Sequence, residues 1–554
     1  MLLIDSLNRS VALSGRRIPV RYLNAICTCL LGLLISTSVL AESPSATQAP
    51  LLLQLTSVKL NQALPVLQQL EASEGADMLA LFKTMQRGNL YYEKATKRLI
   101  AVRKVQGERH YSDLFSGEEL SALSSKQVKK IRVNNKLRGY LGEAIARIQL
   151  HHADSEVRAA AVRSLLADLD QPTIELIREV RLNESSRSVQ AVMDVALALH
   201  RVMHSQEATE RLQAVKTLQG SLEPEVRNQL TQLAAQDESQ SVRKAAQKGL
   251  DKIAQQAEMY SFVNQLFFGL SLGSVLLLAA IGLAITFGVM GVINMAHGEM
   301  IMLGAYTTYV VQLWLPNMIE YSLWIAVPLA FMVSGLAGVL IERLVIRHLH
   351  GRPLETLLAT FGISLILQQL VRSVFSPLNR QVATPDWMSG SIEINPLLSL
   401  TLNRLYIVAF ALLVFMLLLL VLKKTSLGLN VRAVSQNRDM AKAMGIRTDR
   451  VDALTFGLGS GIAGIAGVAL SQLTNVGPNL GQAYIIDSFM VVVFGGVGNL
   501  WGTLVAAFTL GIANKFLEPV TGAVLASILV LVFIILFIQK RPKGLFPQKG
   551  RAAE

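Results

Sequence analysis

The chain has 554 residues, enough for at least two domains; 51% of them are hydrophobic and only 16% are charged. The formal net charge of +13 comes from Lys and Arg that flank apolar runs. No basic stripe interleaved with aromatics occurs, so the charge reads as membrane-flanking and nucleic acid is excluded as a partner. The two cysteines, Cys27 and Cys29, lie in an N-terminal apolar segment. Cleavage of that segment leaves no disulfide and no thiolate metal site.

Arg16, Arg17 and Arg21 precede an apolar run from Ala25 to Leu40, and small residues around Ala41 close it. This reads as a signal peptide over 1–41, followed by a periplasmic domain over 42–258. Residues 51–255 carry helical periodicity with few Gly or Pro, and helix-start residues followed by Val, Ala and Leu recur near 154, 186, 224 and 240. The pattern resembles stacked HEAT-type helical repeats, giving an all-α periplasmic domain that serves as a docking surface or as a solvated appendage. His200 and His204 share a helix face, but no Glu lies between them as in a metalloprotease helix, and no metal site is expected.

From Met259 to Ala296 there is no Asp, Glu, Lys, Arg or His. A hydrocarbon layer about 30 Å thick needs about 20 such residues. Similar stretches cover 262–289, 300–315, 321–341, 356–371, 405–422, 453–474, 488–514 and 519–539, with the glycine-broken 488–514 readable as one span or two. The expectation is a polytopic α-helical membrane domain of about eight to ten spans over 259–540, with a tail over 541–554. Arg343, Arg347 and Arg352, then Lys423 to Arg450, then Lys540 to Arg551 place three connections on the cytoplasmic side of a bacterial inner membrane. Counting back with 488–514 split puts residue 258 outside, in agreement with the signal peptide.

Polar residues in apolar surroundings mark candidates for a solute pathway: Asn294, His297, Glu299, Thr360, Asn475 and Asn499. Asp487 and Asn514 also punctuate the last spans. A turn at the membrane surface or a helix cap explains several of these equally well. Between 428 and 450 the chain is basic and amphipathic, and Gly445 sits where a helix would end. Glycines and alanines between Gly457 and Gly467 suit close helix packing in lipid. No phosphate-binding Gly-x-x-x-x-Gly-Lys-[Ser/Thr] loop occurs, so the chain carries no Walker-type ATPase, and neither enzyme activity nor a cofactor of its own is expected.

Several motifs recur in order: Gly269-Leu-Ser-Leu-Gly-Ser274, Gly291-Val-Ile-Asn-Met-Ala-His-Gly-Glu299, Leu354 to Gly362, Phe494 to Gly502 and Arg541 to Phe546. Together they resemble the inner-membrane permeases of branched-chain amino acid ABC importers over residues 262–547. Within that family, Leu276 to Ala280, Gly304 to Gln312 and the long N-terminal extension are similar to the urea-type subunit. The resemblance implies a urea importer, with a branched-chain or other amino acid permease as the alternative and a passive channel or sensor as a third reading. It also implies a homologous second permease subunit, two cytoplasmic ATPases that hydrolyse the ATP, and a periplasmic solute-binding protein. In the coupling segment, Arg432, Asn437, Asp439, Ala441, Ala443 and Gly445 are the positions expected to meet the ATPase, although Asp439-Met440-Ala441 departs from the family's Glu-Ala-Ala wording.

Overall fold

The computed structural model describes residues 48–58, 62–72, 77–105, 108–120, 123, 127–349 and 351–546. The expected signal peptide over 1–41, with Cys27 and Cys29, lies outside the described residues. The chain divides into two compact units, residues up to Leu197 and residues from Ala198 onward.

The first unit opens with three helices, α1 (Gln48–Ser57), α2 (Ala63–Ala72) and α3 (Asp77–Gln86). It continues as β1 (Leu90–Glu93), β2 (Leu99–Val105), β3 (Glu108–Asp113) and β4 (Val128–Lys130). These form an antiparallel sheet in the order β3-β2-β1-β4. The strands correct the all-α expectation for this region. Their cause is local: Leu90 and Tyr92 alternate with Tyr91 and Glu93 at period two, and Leu99-Ile-Ala-Val102 carries β-branched residues. Leu67, Leu70, Leu81, Phe82 and Leu90 are fully buried in one core with Leu141 of α4 (Asn135–Gln149). Glu71 ties α2 to α4, accepting a hydrogen bond from the Tyr140 hydroxyl and an ion pair from Arg147 Nε at 2.7 Å.

A duplication follows. Helices α5 (Ser155–Leu165), α6 (Gln171–Asn183) and α7 (Arg187–His204) are succeeded by α8 (Ala208–Leu218), α9 (Pro224–Gln236) and α10 (Gln240–Met290). Each of the second three begins 53 residues after its counterpart. The polar joints recur at the same interval. Arg158 pairs with Glu184 at 2.7 Å, and Arg211 pairs with Asp237 at 2.9 Å. Ser186 N donates to Glu184 as Ser239 N donates to Asp237, and the Ser186–Ser188 hydroxyl contact repeats as Ser239–Ser241. The buried positions recur too: Leu165 and Leu218, Ile177 and Leu230, Val189 and Val242. The helix starts near 154, 186, 224 and 240 belong to the first, third, second and third helices of this longer unit, so their spacing is uneven although the unit itself repeats every 53 residues.

No break separates 258 from 259. Helix α10 runs 51 residues, from the last repeat helix straight into the first apolar run. The membrane region continues with α11 (His297–Trp314), α12 (Ile319–Leu344), α13 (Pro353–Phe375), a hairpin of β5 (Ser391–Asn395) and β6 (Leu398–Thr401), and α14 (Leu402–Lys424). Two short helices, α15 (Ser426–Gln436) and α16 (Arg438–Ala443), precede α17 (Thr448–Ser471), α18 (Leu480–Gly495), α19 (Leu500–Thr521) and α20 (Ala523–Lys540). Among the described residues seven helices are long and apolar enough to cross a membrane, fewer than the eight to ten spans expected; α11, which carries His297 and Glu299, and the 16-residue α18 lie outside that set. The 488–514 run is two helices, broken at Gly496 (φ +104) and Gly498 (φ +79) with Asn499 capping α19.

Glu184 lies well below the usual carboxylate range, at about 2, because Arg158 donates to it, with the Ser186 amide adding a smaller contribution. The stability this gives is complete above the unfolded range near pH ~4.3 and drains away as pH falls from there through about 2. The protection factors of α5 and α6 amides in the intact protein, corrected for the intrinsic exchange rate at each pH, should therefore fall between pH 7 and pH 3, and Glu184→Gln should flatten that dependence.

Candidate functional site

Helix α17 is the axis of the membrane bundle. Nearly every residue of its apolar stretch is buried. Its neighbours reach it through glycine: Gly282 of α10 abuts Gly459, Gly304 of α11 abuts Gly464, Ile301 carbonyl abuts Gly467, and Gly335 and Gly338 of α12 abut Gly457 and Ser460. Lipid tails are as apolar as Leu, so helices in a membrane associate by close packing rather than by expelling water, and small residues permit it.

Helix α10 ends in a left-handed Gly291 (φ +67), and the chain then turns back beside it. His297 Nε2 lies 2.9 Å from the Ala279 carbonyl, three turns before the end of α10. Met300 carbonyl accepts from Ser334, well inside α12. Helix α11 therefore starts deep in the bundle. Helix α18 starts at the same depth, because Gly298 and Gly481 meet backbone to backbone. Two helix N-termini, each carrying the partial positive charge of its helix dipole, converge there.

The chain's own carboxylate answers that charge. Glu299, in the first turn of α11, is 1% exposed. Its Oε1 accepts from Ser364 Oγ at 2.9 Å and Gln368 Nε2 at 2.8 Å. Both donors sit on α13, where Thr356, Thr360, Ser364, Gln368 and Arg372 recur every four residues as one polar seam. Thr360 Oγ1 accepts from Met295 N at 3.2 Å, and Arg372 donates to Asn479 Oδ1 at 2.7 Å. Glu299 Oε2, His297 Nδ1 and Asn294 Nδ2 have no partner among the described residues.

Of the six pathway candidates, Asn294, His297, Glu299 and Thr360 are brought together, buried within the subunit. Asn475 lies exposed in the loop between α17 and α18, and Asn499 caps α19 while its Nδ2 donates to the Phe546 carbonyl at 3.1 Å. Ser364, Gln368 and Arg372 were missed, although their four-residue spacing from Thr360 is visible in the sequence. Asp487 is the opposite case to Glu299: half-buried on α18 beside exposed Gln482, Ala483 and Ile486, it makes no hydrogen bond or ion pair among the described residues.

The expected coupling segment folds as α15 and α16. Asn437 caps α16, accepting from Met440 N at 2.9 Å. Gly445, at φ +85, closes it with Ile446 N bonding to the Ala441 carbonyl and Gly445 N to the Lys442 carbonyl. Ala441 is buried, whereas Arg432, Asp439, Ala443 and Gly445 are exposed. Arg438 pairs with buried Asp452 of α17, and Arg347 pairs with Asp449 at 2.6 Å. Met440 and Met444 project, 60% and 77% exposed. The C-terminal segment joins the same end of the bundle, where Leu545 N and Phe546 N bond to the Phe494 and Gly495 carbonyls.

A glycine-packed bundle with a helix break at its centre and a basic, capped helix pair at one end defines a multi-pass membrane permease, a transport subunit rather than an enzyme. Residues 265–538 match the family described as branched-chain amino acid transport system / permease component. The high-affinity branched-chain amino acid transport system permease protein LivH of Salmonella typhimurium (strain LT2) is 31% identical over 295 residues, 51% of this chain and 95% of that protein. BraD of Pseudomonas aeruginosa, with the same description, is 30% identical over 301 residues, 52% of this chain and 96% of its own. The ribose import permease protein RbsC of Bacillus subtilis is similar over a shorter stretch, 31% identical over 113 residues, 19% of this chain and 35% of that protein. No solved structure matches the chain. The chain belongs to the branched-chain amino acid ABC permease family and is a multi-pass protein of the inner membrane.

Two carboxylates in similar helices should respond differently. Glu299→Ala strands the Ser364 and Gln368 donors in the interior and should lower the yield of folded protein in size-exclusion chromatography. Asp487→Asn should leave that yield unchanged and cut solute uptake about tenfold or more. A Gly304→Val variant drives a side chain into the Gly464 backbone and should abolish the folded monodisperse species.

Proposed function

We propose that this chain is one of two homologous permease subunits of an ATP-driven importer for branched-chain amino acids, working by alternating access with separate ATPases and a solute-binding protein. The observation that carries the reading is the similarity to LivH and BraD across 95% and 96% of those permeases. The convergence of two helix N-termini at the centre of the bundle supports it, since broken helices of this kind offer N–H groups to the carboxylate of an amino acid. A movement of Glu299 away from them would expose such groups. Asp487 supplies an acceptor for an ammonium group on the face where a second subunit would lie.

The basic connections at 343–352 and 423–450 and the tail after Lys540 face the cytoplasm in this reading. The ATPase grips α15 and α16, with Met440 and Met444 filling a cleft of the motor and the ion pairs to Asp449 and Asp452 passing its movement to α17. The repeat helices before residue 258 then lie in the periplasm, stacked in HEAT-like fashion.

Urea is the second reading, favoured by one specific observation. The relatives cover only the permease part of this chain, and the long helical region before it, together with the wording at 276–280 and 304–312, resembles the urea-type subunit. Proteoliposomes holding the permease pair and its ATPases, supplied with binding protein, decide between them. ATP-dependent uptake of labelled leucine supports the amino acid reading, and ATP-dependent uptake of urea without leucine transfers the assignment to urea. Flux that needs neither ATP nor the ATPase overturns both. In the same system Met444→Asp should reduce ATP-dependent uptake about tenfold or more while leaving the permease folded, because the side chain touches nothing in its own subunit that must be buried.

A further inference from the structure

Between α12 and α14 lies a cleft of about 540 Å³ whose floor is the end of α17. Its walls are graded. At one end stand Trp324, Trp387, Tyr406 and Gln472; a turn or two along the helices the walls become Pro328, Phe410, Leu413 and Val468, all apolar. The aromatic end is organised, with ring centroids 6.5 Å apart for Trp324–Trp387 and 5.2 Å for Trp387–Tyr406. Trp387 Nε1 donates to the Glu320 carbonyl at 3.0 Å, which holds the indole over the opening.

Two features of that end ask for a donor. Gln472 is 6% exposed, its Nε2 donates to Ser471 Oγ at 3.2 Å, and its Oε1 has no partner among the described residues. Beside Trp387, Glu320 and Asp386 are exposed acids without a basic partner among the described residues, and Glu320 Oε1 accepts the Asp386 amide at 3.0 Å. No Lys or Arg lines the cleft among the described residues. Pro328, inside α12, also lacks the N–H that would satisfy the Trp324 carbonyl one turn back.

We propose that this cleft is a binding site for a membrane phospholipid with an ammonium headgroup. The acyl chain lies along Pro328, Phe410 and Leu413. The headgroup end sits among Trp324, Trp387 and Tyr406, where aromatic rings sit at a membrane surface. The ammonium donates toward Gln472 Oε1 and faces Glu320 and Asp386, while an anionic headgroup without a cation meets two like charges. The site does not depend on which solute is carried, since it is walled off from the central helix break by α17 itself.

The test uses full-length permease in vesicles of neutral lipid doped with brominated phosphatidylethanolamine or brominated phosphatidylglycerol. Bromine quenches tryptophan on contact. A Trp314→Phe/Trp501→Phe background leaves Trp324 and Trp387 as reporters. Quenching by phosphatidylethanolamine should be half-maximal at about a tenfold lower mole fraction than quenching by phosphatidylglycerol, the worth of one charge-assisted hydrogen bond. Glu320→Gln/Asp386→Asn and Gln472→Leu should each erase most of that preference. Ala409→Phe, which fills the cleft from an exposed position, should remove the low-mole-fraction component for both lipids. Equal quenching by the two lipids in the unaltered cleft overturns the proposal, as does a preference that survives Ala409→Phe. These substitutions lie outside the central helix break and the coupling helices, so failure here leaves the transport reading standing.

Discussion

The bundle depends on backbone meeting backbone along α17. In water a helix can be held by the apolar face it hides, but within lipid that drive is absent and contact distance must replace it. Gly282 with Gly459, Gly304 with Gly464, and Gly335 with Gly457 bring three helices to the same axis at a separation no side chain would permit. The consequence is a sharp radial order. Helix α17 and the membrane half of α10 are almost wholly enclosed, whereas the apolar windows of α13, α14 and α20 bury less than a third of their residues. The outer helices keep lipid-compatible Leu, Ile and Val on their free faces, and the inner helices are chosen for smallness.

That order explains why polar groups sit where they do. Helix α13 reaches the body through a seam of hydroxyl, amide and guanidinium groups, and those from Thr360 to Arg372 find partners on the re-entrant segment or on the loop before α18, while Thr356 donates to the Leu349 and Arg352 carbonyls just before the helix. Hydrogen bonds of this kind are directional and exchangeable, so a helix held by them can be re-registered at lower cost than one held by interlocked glycines. The bundle thus combines a rigid axis with a side helix attached by reversible contacts. Glu299 stands at their junction, in the first turn of α11, where it anchors two donors of α13.

The legible part of the sequence was the part governed by a single strong term. Charge-free runs mark the spans because burying charge in lipid is costly, and the paired glycines after Phe494 mark the break because the turn there needs positive φ at Gly496 and Gly498. The capped helix ending at Gly445 was readable for the same reason. What escaped notice is distributed. The seam on α13 is spread over seventeen residues of an otherwise apolar helix, and only its four-residue spacing reveals it. The strands between Leu90 and Lys130 were absorbed into a helical reading because their alternation is short and interrupted. The 53-residue duplication is carried by Arg–carboxylate joints that lie 26 residues apart within each copy, a separation at which local pattern carries no signal.

The duplication and the bundle share one physical element. The third helix of the second copy is also the first span, so α10 extends for about 77 Å at 1.5 Å per residue without a cap, a proline or a break. A helix of that length stays stiff only if each section is supported, and the sections are supported differently. In the repeat part, α8 and α9 pack on it through Val242, Ala246 and Gly249, with Leu230 against Gly249. In the membrane part, Gly269 and Gly273 receive α19 and Gly282 receives α17. Between them, from Ala257 to Gln265, the helix is mostly exposed and is held by fewer contacts, among them Asn264 to the Leu397 carbonyl at 3.0 Å and Phe262 against Phe516. Any force reaching the repeat helices must pass through that lightly supported stretch. Bending there would have to break an unbroken ladder of main-chain hydrogen bonds. The lower-cost response is for α10 to move as one body with α17 and α19, which makes α8, α9 and the axis of the bundle parts of a single lever.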